Sequence, residues 1–278
     1  MILGLILHTD LAIDLKTYIV ITMTSSISNK DLFGSVEFST WIEIEHIFSE
    51  EKYMIQKYLQ PHLKTVEAGT NGGRILLNMK EMGFTALAGF DNVPELIDAA
   101  IARNPDRDID FQVQDAVKLS YPDESFDQIL YLQQILCLLE SEDRVKAMRE
   151  SLRILKPGGI GIFSFLNFES RSLDFPFSMH IAYLKALRKL SGNALSIQYL
   201  PWIVLGGKFN LQSTVLDRSP YVYWYRISEA YDELKSVGFE IVGIGTIPQI
   251  RAGNLKTTAS ELLTEKTSGT LYITVKKS

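Results

Sequence analysis

A single cysteine, Cys137, occurs in 278 residues. No disulfide can close within the chain, so a reducing compartment is expected, and we read the cytoplasm as its place. Histidine is scarce too, at positions 8, 46, 62 and 180. These four fit no metal-ligand spacing, and with one cysteine a structural zinc site is not expected. Basic charge is in short supply: 28 Lys and Arg against 33 Asp and Glu leave a net charge of -5. That argues against a nucleic-acid backbone as partner. Long apolar runs are missing as well. Residues 2–7 and 18–23 are apolar, but His8, Asp10, Asp14 and Lys16 interrupt them. Neither stretch is long enough for a membrane helix, and no stable membrane insertion is expected. The first residues also lack the basic start of a secretion signal.

What remains is the composition of a packed globular protein, 46% hydrophobic and 22% charged. Its length suits one large domain or a domain with a sizeable insertion. Residues 22–29 are rich in Ser and Thr and read as a flexible join. Met23 is read as the natural start, which makes residues 1–22 an over-long reading frame. The alternative is a short membrane-surface or partner-binding element. Residues 1–30 are therefore set apart as a disordered or non-native extension.

Thr40-Trp41-Ile42-Glu43 fits a capping box. A second helix opens at Ser49, with Met54, Ile55, Tyr58 and Leu59 on one face, and Pro61 stops it. From there strands and helices alternate. Strands are expected up to Ala68, over 84–90, 110–114, 126–131 and 160–166. The helices between them include 134–139 and one opened by Ser141, and Pro157-Gly158-Gly159 reads as a turn. Residues 31–166 thus form an α/β core with a mostly parallel sheet covered on both faces. Residues 167–224 break the rhythm and are rich in aromatics, including Phe168, Tyr183, Trp202 and Trp224. They read as an inserted cap. Residues 225–278 return to the core, with a helix to Val237, a strand over 239–245 and a last strand over 269–276.

The stretch Glu67-Ala68-Gly69-Thr70-Asn71-Gly72-Gly73 joins the first strand to a helix. Its glycines permit torsions that a side chain forbids, and let a ligand lie against the main chain. Asn71 stands where a left-handed residue is useful. The free amides of the following helix face a ligand, and Glu67 is expected to add negative charge to the rim. The spacing does not fit the dinucleotide fingerprint Gly-x-Gly-x-x-Gly or a phosphate loop, which disfavours a nucleotide-dependent oxidoreductase. Acids recur at three successive strand tips: Glu67, Asp91 and Asp115. In an open α/β sheet the ligand crevice lies beyond those tips. A carboxylate at the second can accept two ribose hydroxyls, and one at the third can accept from an adenine amino group, beside the amide of Ala116.

Taken together, these residues resemble the class I S-adenosylmethionine-dependent methyltransferases. The likeness rests on the turn with Glu67, Gly69 and Gly73, and on Gly89-Phe90-Asp91, Gln114-Asp115-Ala116, Ser125-Phe126-Asp127 and Leu155-Lys156-Pro157-Gly158-Gly159. It departs at Asn71, where the family has a glycine. It implies a Rossmann-like, doubly wound, seven-stranded sheet of order 3-2-1-4-5-7-6, with the last strand antiparallel. It also implies S-adenosylmethionine as cofactor. Glu67, Gly69, Thr70, Asn71 and Gly73 would form the turn against it, with the methionine end along Glu67, Gly69 and Asn71. Asp91 and Asn92 would hold the ribose, and Asp115 and Ala116 the adenine. Leu132 and Gln133, after the fourth strand, would approach the methionine amino group and the substrate.

Such chemistry asks little of side chains, because the sulfonium already makes its methyl electrophilic. The chain must align a nucleophile and exclude water. His180 in the insertion is the histidine best placed as a base; Cys137 reads as core. Gln133 and Gln134 do not form the Asn/Asp-Pro-Pro-Tyr run of enzymes that methylate exocyclic base amines. The aromatic insertion suits a lid over a small, partly apolar acceptor, O- or N-methylated, or equally the core of a small cap. Arg218 could meet an acidic group of that acceptor or a partner within the fold. The competing function is a cofactor-binding protein on the same fold without turnover, in view of Asn71.

Overall fold

The computed structural model describes residues 44–205 and 207–278. The expected extension over 1–30, the capping box at Thr40 and the aromatic residues Phe38 and Trp41 lie outside the described residues.

Helix α1 spans Ser49–Tyr58. Glu51 in its first turn accepts from the amide of Phe48 at 3.0 Å, and Met54 and Ile55 are buried. Then follow β1 (Thr65–Ala68), α2 (Arg74–Glu81), β2 (Leu87–Asp91), α3 (Pro94–Ala102), β3 (Ile109–Val113) and β4 (Phe126–Tyr131). A single 3-10 turn at Ile135–Leu138 precedes α4 (Ser141–Ile154) and β5 (Leu155–Phe165). The insertion holds α5 (Phe168–Leu173), α6 (Phe177–Ser191), β6 (Tyr199–Pro201), β7 (Val204–Leu205), β8 (Lys208–Phe209), α7 (Leu211–Leu216) and β9 (Tyr221–Tyr223). The chain closes with α8 (Ile227–Val237), β10 (Phe239–Gly245), α9 (Ile247–Arg251), α10 (Ala259–Leu263) and β11 (Leu271–Lys277).

The main sheet runs β3-β2-β1-β4-β5-β11-β10. Neighbours are parallel from β3 to β5, and β11 runs antiparallel to both β5 and β10. Counting core strands alone, this is the expected order 3-2-1-4-5-7-6. Every residue of β1 and β2 is buried, as parallel strands covered on both faces must be. Side chains alternate between two cores: Ile129 packs with Phe163 and Leu234 on one face, and Leu130 with Met54 and Leu76 on the other.

Two expectations need correction. The helix expected over 134–139 is only one 3-10 turn. Gln133 and Gln134 adopt φ of 56° and 61°, and the Gln134 amide is held by Ser164 Oγ at 3.0 Å, so the chain turns left-handed before it can enter a helix. The expected turn at Pro157-Gly158-Gly159 is an excursion inside β5. Phe126 pairs with Leu155 and Gln128 with Ile160, so β5 advances five residues while β4 advances two.

The two ends of the insertion meet at the carboxyl end of β5. Phe168 donates to Tyr225 O, and Tyr225 to Leu166 O, each at 2.8 Å. Inside the insertion, Arg188 and Asp217 form a buried bidentate pair, Nε–Oδ2 2.6 Å and Nη2–Oδ1 2.7 Å. Arg188 also donates to Ser196 O and Tyr199 O, each at 2.7 Å. A buried pair with its remaining donors satisfied in this way fixes geometry. Arg218, by contrast, is exposed.

Candidate functional site

The turn after β1 is shaped from beneath. Gly69 has φ 61°, and a Cβ there would collide with Ile135 Cδ1. Asn71 takes the left-handed conformation, φ 55°, and its own Oδ1 accepts from the Gly72 amide at 3.0 Å. Asparagine thus takes here the left-handed torsion that a glycine takes without strain. Gly73, φ 78°, caps α2; a Cβ on it would lie 2.9 Å from the Phe111 ring.

The structure places the Glu67 carboxyl under the turn instead of on the rim. It is 1% exposed, and its Oε2 accepts from Thr70 Oγ1 at 2.7 Å. Burial pushes its pKa up to about 8, against the Thr70 hydrogen bond and the nearby Arg74 guanidinium. At neutral pH the protonated form dominates, so the expected negative charge is largely absent. Arg74 is itself bound to Glu51 through two 2.8 Å bonds, which anchors the start of α2 to α1.

Asp91 ends β2 and is almost fully buried. Its Oδ2 accepts from the Asn71 amide and its Oδ1 from the Val93 amide, each at 3.1 Å. Burial raises its pKa, and the amides of Val93, Asn71 and Asn92 oppose that rise. Asp115 lies on the surface after β3, where its Oδ1 accepts from the Val117 amide at 3.1 Å.

Two adjoining cavities open over these strand tips. The first encloses about 660 Å³ of empty space, counted with its open mouth. Gly69, Asn71, Asp91, Asn92, Asp115 and Ala116 line it, with Phe90, Val93, Leu96, Gln114, Leu138, Leu139 and Ile135 completing the wall. The second, about 670 Å³ on the same measure, is lined by Gln133, Gln134, Leu166, Trp202 and Val222. Asn71, Ile135 and Leu138 line both.

Six of the expected cofactor residues therefore converge on the first cavity, and Gln133 on the second. Glu67 and Thr70 are buried under the turn, Gly73 packs against Phe111, and Leu132 is in the core. His180 lines neither cavity. Its Nε2 bonds Thr214 O at 2.8 Å, which joins α6 to α7. Cys137 is buried, as expected, and burial pushes its thiol up to about 12. Sequence reasoning missed the apolar wall, above all Leu96, Ile135, Leu138 and Leu139. The signals available were the apolar stripe of α3 for Leu96 and the apolar run after β4 for the others, and both read as core.

A family profile described as Methyltransferase domain matches residues 66–163. A comparison with curated proteins gave no match. Among solved structures, a SAM-dependent methyltransferase from Methanosarcina mazei superposes with a TM-score of 0.59 at 18% identity, covering 83% of this chain and 98% of that one. The magnesium protoporphyrin IX methyltransferase of Synechocystis, solved with bound SAH, gives 0.55 at 15%, covering 90% and 97%. The 1,6-didemethyltoxoflavin-N1-methyltransferase of Burkholderia thailandensis, with its substrate and S-adenosylhomocysteine bound, gives 0.54 at 15%, covering 98% and 93%. At these identities the likeness is one of fold.

Proposed function

From the Methyltransferase domain matched over residues 66–163 and the fold shared with SAM-dependent methyltransferases, we propose that the chain is a class I S-adenosylmethionine-dependent methyltransferase that methylates a small, partly apolar or aromatic acceptor on oxygen or nitrogen. The observation that carries this reading is the pair of cavities sharing Asn71, Ile135 and Leu138. A two-substrate transfer needs two sites in contact, and these touch at the turn.

The first cavity fits S-adenosylmethionine. Gly69 lines it without a side chain, and Ile135 fills the space that a Cβ would take. Asp91 spends its oxygens on backbone amides, Asn71 at Oδ2 and Val93 at Oδ1 with that of Asn92 close by, and a carboxylate has roughly four acceptor sites, so room for a hydroxyl donor remains. Asp91 and Asn92 would hold the ribose, Asp115 and Ala116 the adenine, and Gly69 and Asn71 the methionine end. Leu96 and Leu139 supply apolar walls. When bound, S-adenosylmethionine supplies a methyl group on a positively charged sulfur.

The second cavity takes the acceptor. Leu166, Trp202 and Val222 offer it an apolar wall, and the side-chain carboxamides of Gln133 and Gln134 would orient its polar end. Trp202 and Val222 come from the insertion, so the insertion excludes water and selects the acceptor. His180 has no part in proton transfer in this arrangement; its ring nitrogen is engaged with Thr214.

The test is incubation of the purified protein with methyl-labelled S-adenosylmethionine and a small-molecule metabolite extract. Label should pass into a low-molecular-weight product that mass spectrometry finds heavier by one methylene. Cofactor binding without transfer to any fraction would favour a binding protein on the same fold. Label in protein or nucleic acid would reassign the acceptor.

A further inference from the structure

Helix α6 has two apolar faces. Ile181 and Leu184, beside the ion-paired Arg188, form its buried face. On the opposite side, at the same helical spacing, stand Met179, Ala182, Tyr183, Ala186 and Leu190, all exposed. Met179 is 64% and Leu190 86% exposed. A helix with one wet face carries polar residues along it; on this one the exposed charged residues are Lys185 and Lys189, both at the border of an apolar stripe.

The surface continues into α7. His180 Nε2 meets Thr214 O, and Tyr183 Oη donates to Val215 O at 2.6 Å. Of the residues in α7 only Ser213 is buried, and Leu211, Val215 and Leu216 are exposed. The exposed apolar side chains of the described residues thus concentrate on the insertion.

Charge separates the insertion from the rest. Residues 167–224 hold six Lys and Arg against three Asp and Glu, a net +3, within a chain of net -5. The remainder therefore carries -8. Lys185 and Lys189 border the outward stripe of α6, and Lys208 stands on the hairpin before α7, all exposed.

We propose that this outward face of the insertion docks on an anionic lipid bilayer, lying in the interface without crossing it. Among the described residues no helix is long and apolar enough to cross. Apolar side chains enter the headgroup boundary, while flanking lysines reach back to lipid phosphates. Lysine along the edge of the stripe favours a bilayer over a protein partner, because protein interfaces are depleted in lysine. The opposite sign of the remainder turns the insertion toward an anionic surface and holds the rest of the chain away. The inference does not depend on methyl transfer.

The test uses the full chain and sedimentation with vesicles of phosphatidylcholine alone or mixed with phosphatidylglycerol. Binding is expected to the mixed vesicles, weakening with added salt. Met179→Glu with Leu190→Glu should raise the lipid needed for half-binding by about ten-fold, by removing buried apolar area. Lys185→Glu with Lys189→Glu should weaken binding to mixed vesicles as well. Val113→Glu, an exposed position on β3, should leave binding unchanged. Melting curves on each variant establish that it is folded. The proposal is overturned if the full chain stays in the supernatant with both vesicle types, or if neither pair of substitutions alters binding. It is equally overturned if sedimentation velocity finds a dimer that the Met179/Leu190 pair dissociates while vesicles leave the chain unbound, since a second copy then covers the face.

Discussion

The amide of Asn71 donates to Oδ2 of Asp91 at 3.1 Å. This bond joins the first strand-to-helix turn to the tip of the neighbouring strand, and both residues line the first cavity. The proposed ribose site and the proposed methionine site are therefore one mechanical unit. Asp91 has a second amide, that of Val93, on its other oxygen, so its orientation is fixed before any ligand arrives.

Asp91→Ala should weaken S-adenosylmethionine binding by about 1.5–3 kcal/mol, the range for hydrogen bonds to a charged group. It also leaves the Asn71 amide without its acceptor, so the turn should loosen. Asp91→Asn keeps one acceptor oxygen and should lose less. Titration calorimetry on both variants checks the order; equal affinity for Ala and wild type would remove Asp91 from the site.

Gly69→Ala combines two penalties. A left-handed alanine costs roughly 1–2 kcal/mol, and its Cβ would overlap Ile135 Cδ1. Ile135 must then swing toward the cavities it lines. Both stability and cofactor affinity should fall. Adding Ile135→Ala should recover part of the loss, leaving the backbone term. Denaturant unfolding of the two single variants and the double variant measures the coupling; strict additivity would show that the collision is relieved elsewhere.

Much of the fold could be read in the chain because its local signals agree with one another. Residues 126–131 form a strand in the expected place, and Gly238 stops α8 where expected. Asn71 adopts the left-handed torsion that its type and place imply. The apolar wall was not legible, because an apolar run after a strand reads as core. Only the left-handed torsions at Gln133 and Gln134 send Ile135 and Leu138 into the cavities while Leu136 and Cys137 stay buried. The acceptor wall was hidden for another reason. Trp202 and Val222 are far apart in sequence, and the two-stranded pairing of Leu200 with Val222 and Pro201 with Tyr221 brings them near each other. Strands of three residues are too short to leave a period.

Glu67 predicts a pH dependence. Its folded-state pKa is about 8 against a reference of 4.5. Below the reference value both folded and unfolded chains hold the proton, and the group has no effect on stability. As pH rises from there toward about 8, the unfolded chain ionises first and stability falls. Above it the destabilisation is complete. Glu67→Gln should remove this contribution while keeping an acceptor for Thr70 Oγ1. The melting temperature of Glu67→Gln relative to wild type should therefore climb between about pH 5 and about pH 8. A constant difference across that window would mean that Glu67 titrates as an ordinary carboxyl.

The insertion supplies the most discriminating pair of substitutions. Trp202 lines the second cavity and not the first. Tyr183 lines neither, and its hydroxyl is spent on Val215 O. Trp202→Ala should enlarge the acceptor site and let water in. KM for the acceptor should rise, or kcat fall, while S-adenosylmethionine affinity stays within error. Tyr183→Ala should leave both kinetic constants unchanged and lower stability only modestly, since the residue is partly exposed. Large-to-small changes at fully buried aromatic positions cost about 3–5 kcal/mol, so a loss of that size at Trp202 would mark it as cap core. The decisive comparison is activity per folded molecule, taken with melting temperature and cofactor affinity on the same preparations. If Trp202→Ala lowers stability strongly but keeps turnover per folded molecule, the insertion is a structural cap and the acceptor is held by the core alone. If it weakens cofactor binding as much as turnover, the two cavities act as a single site.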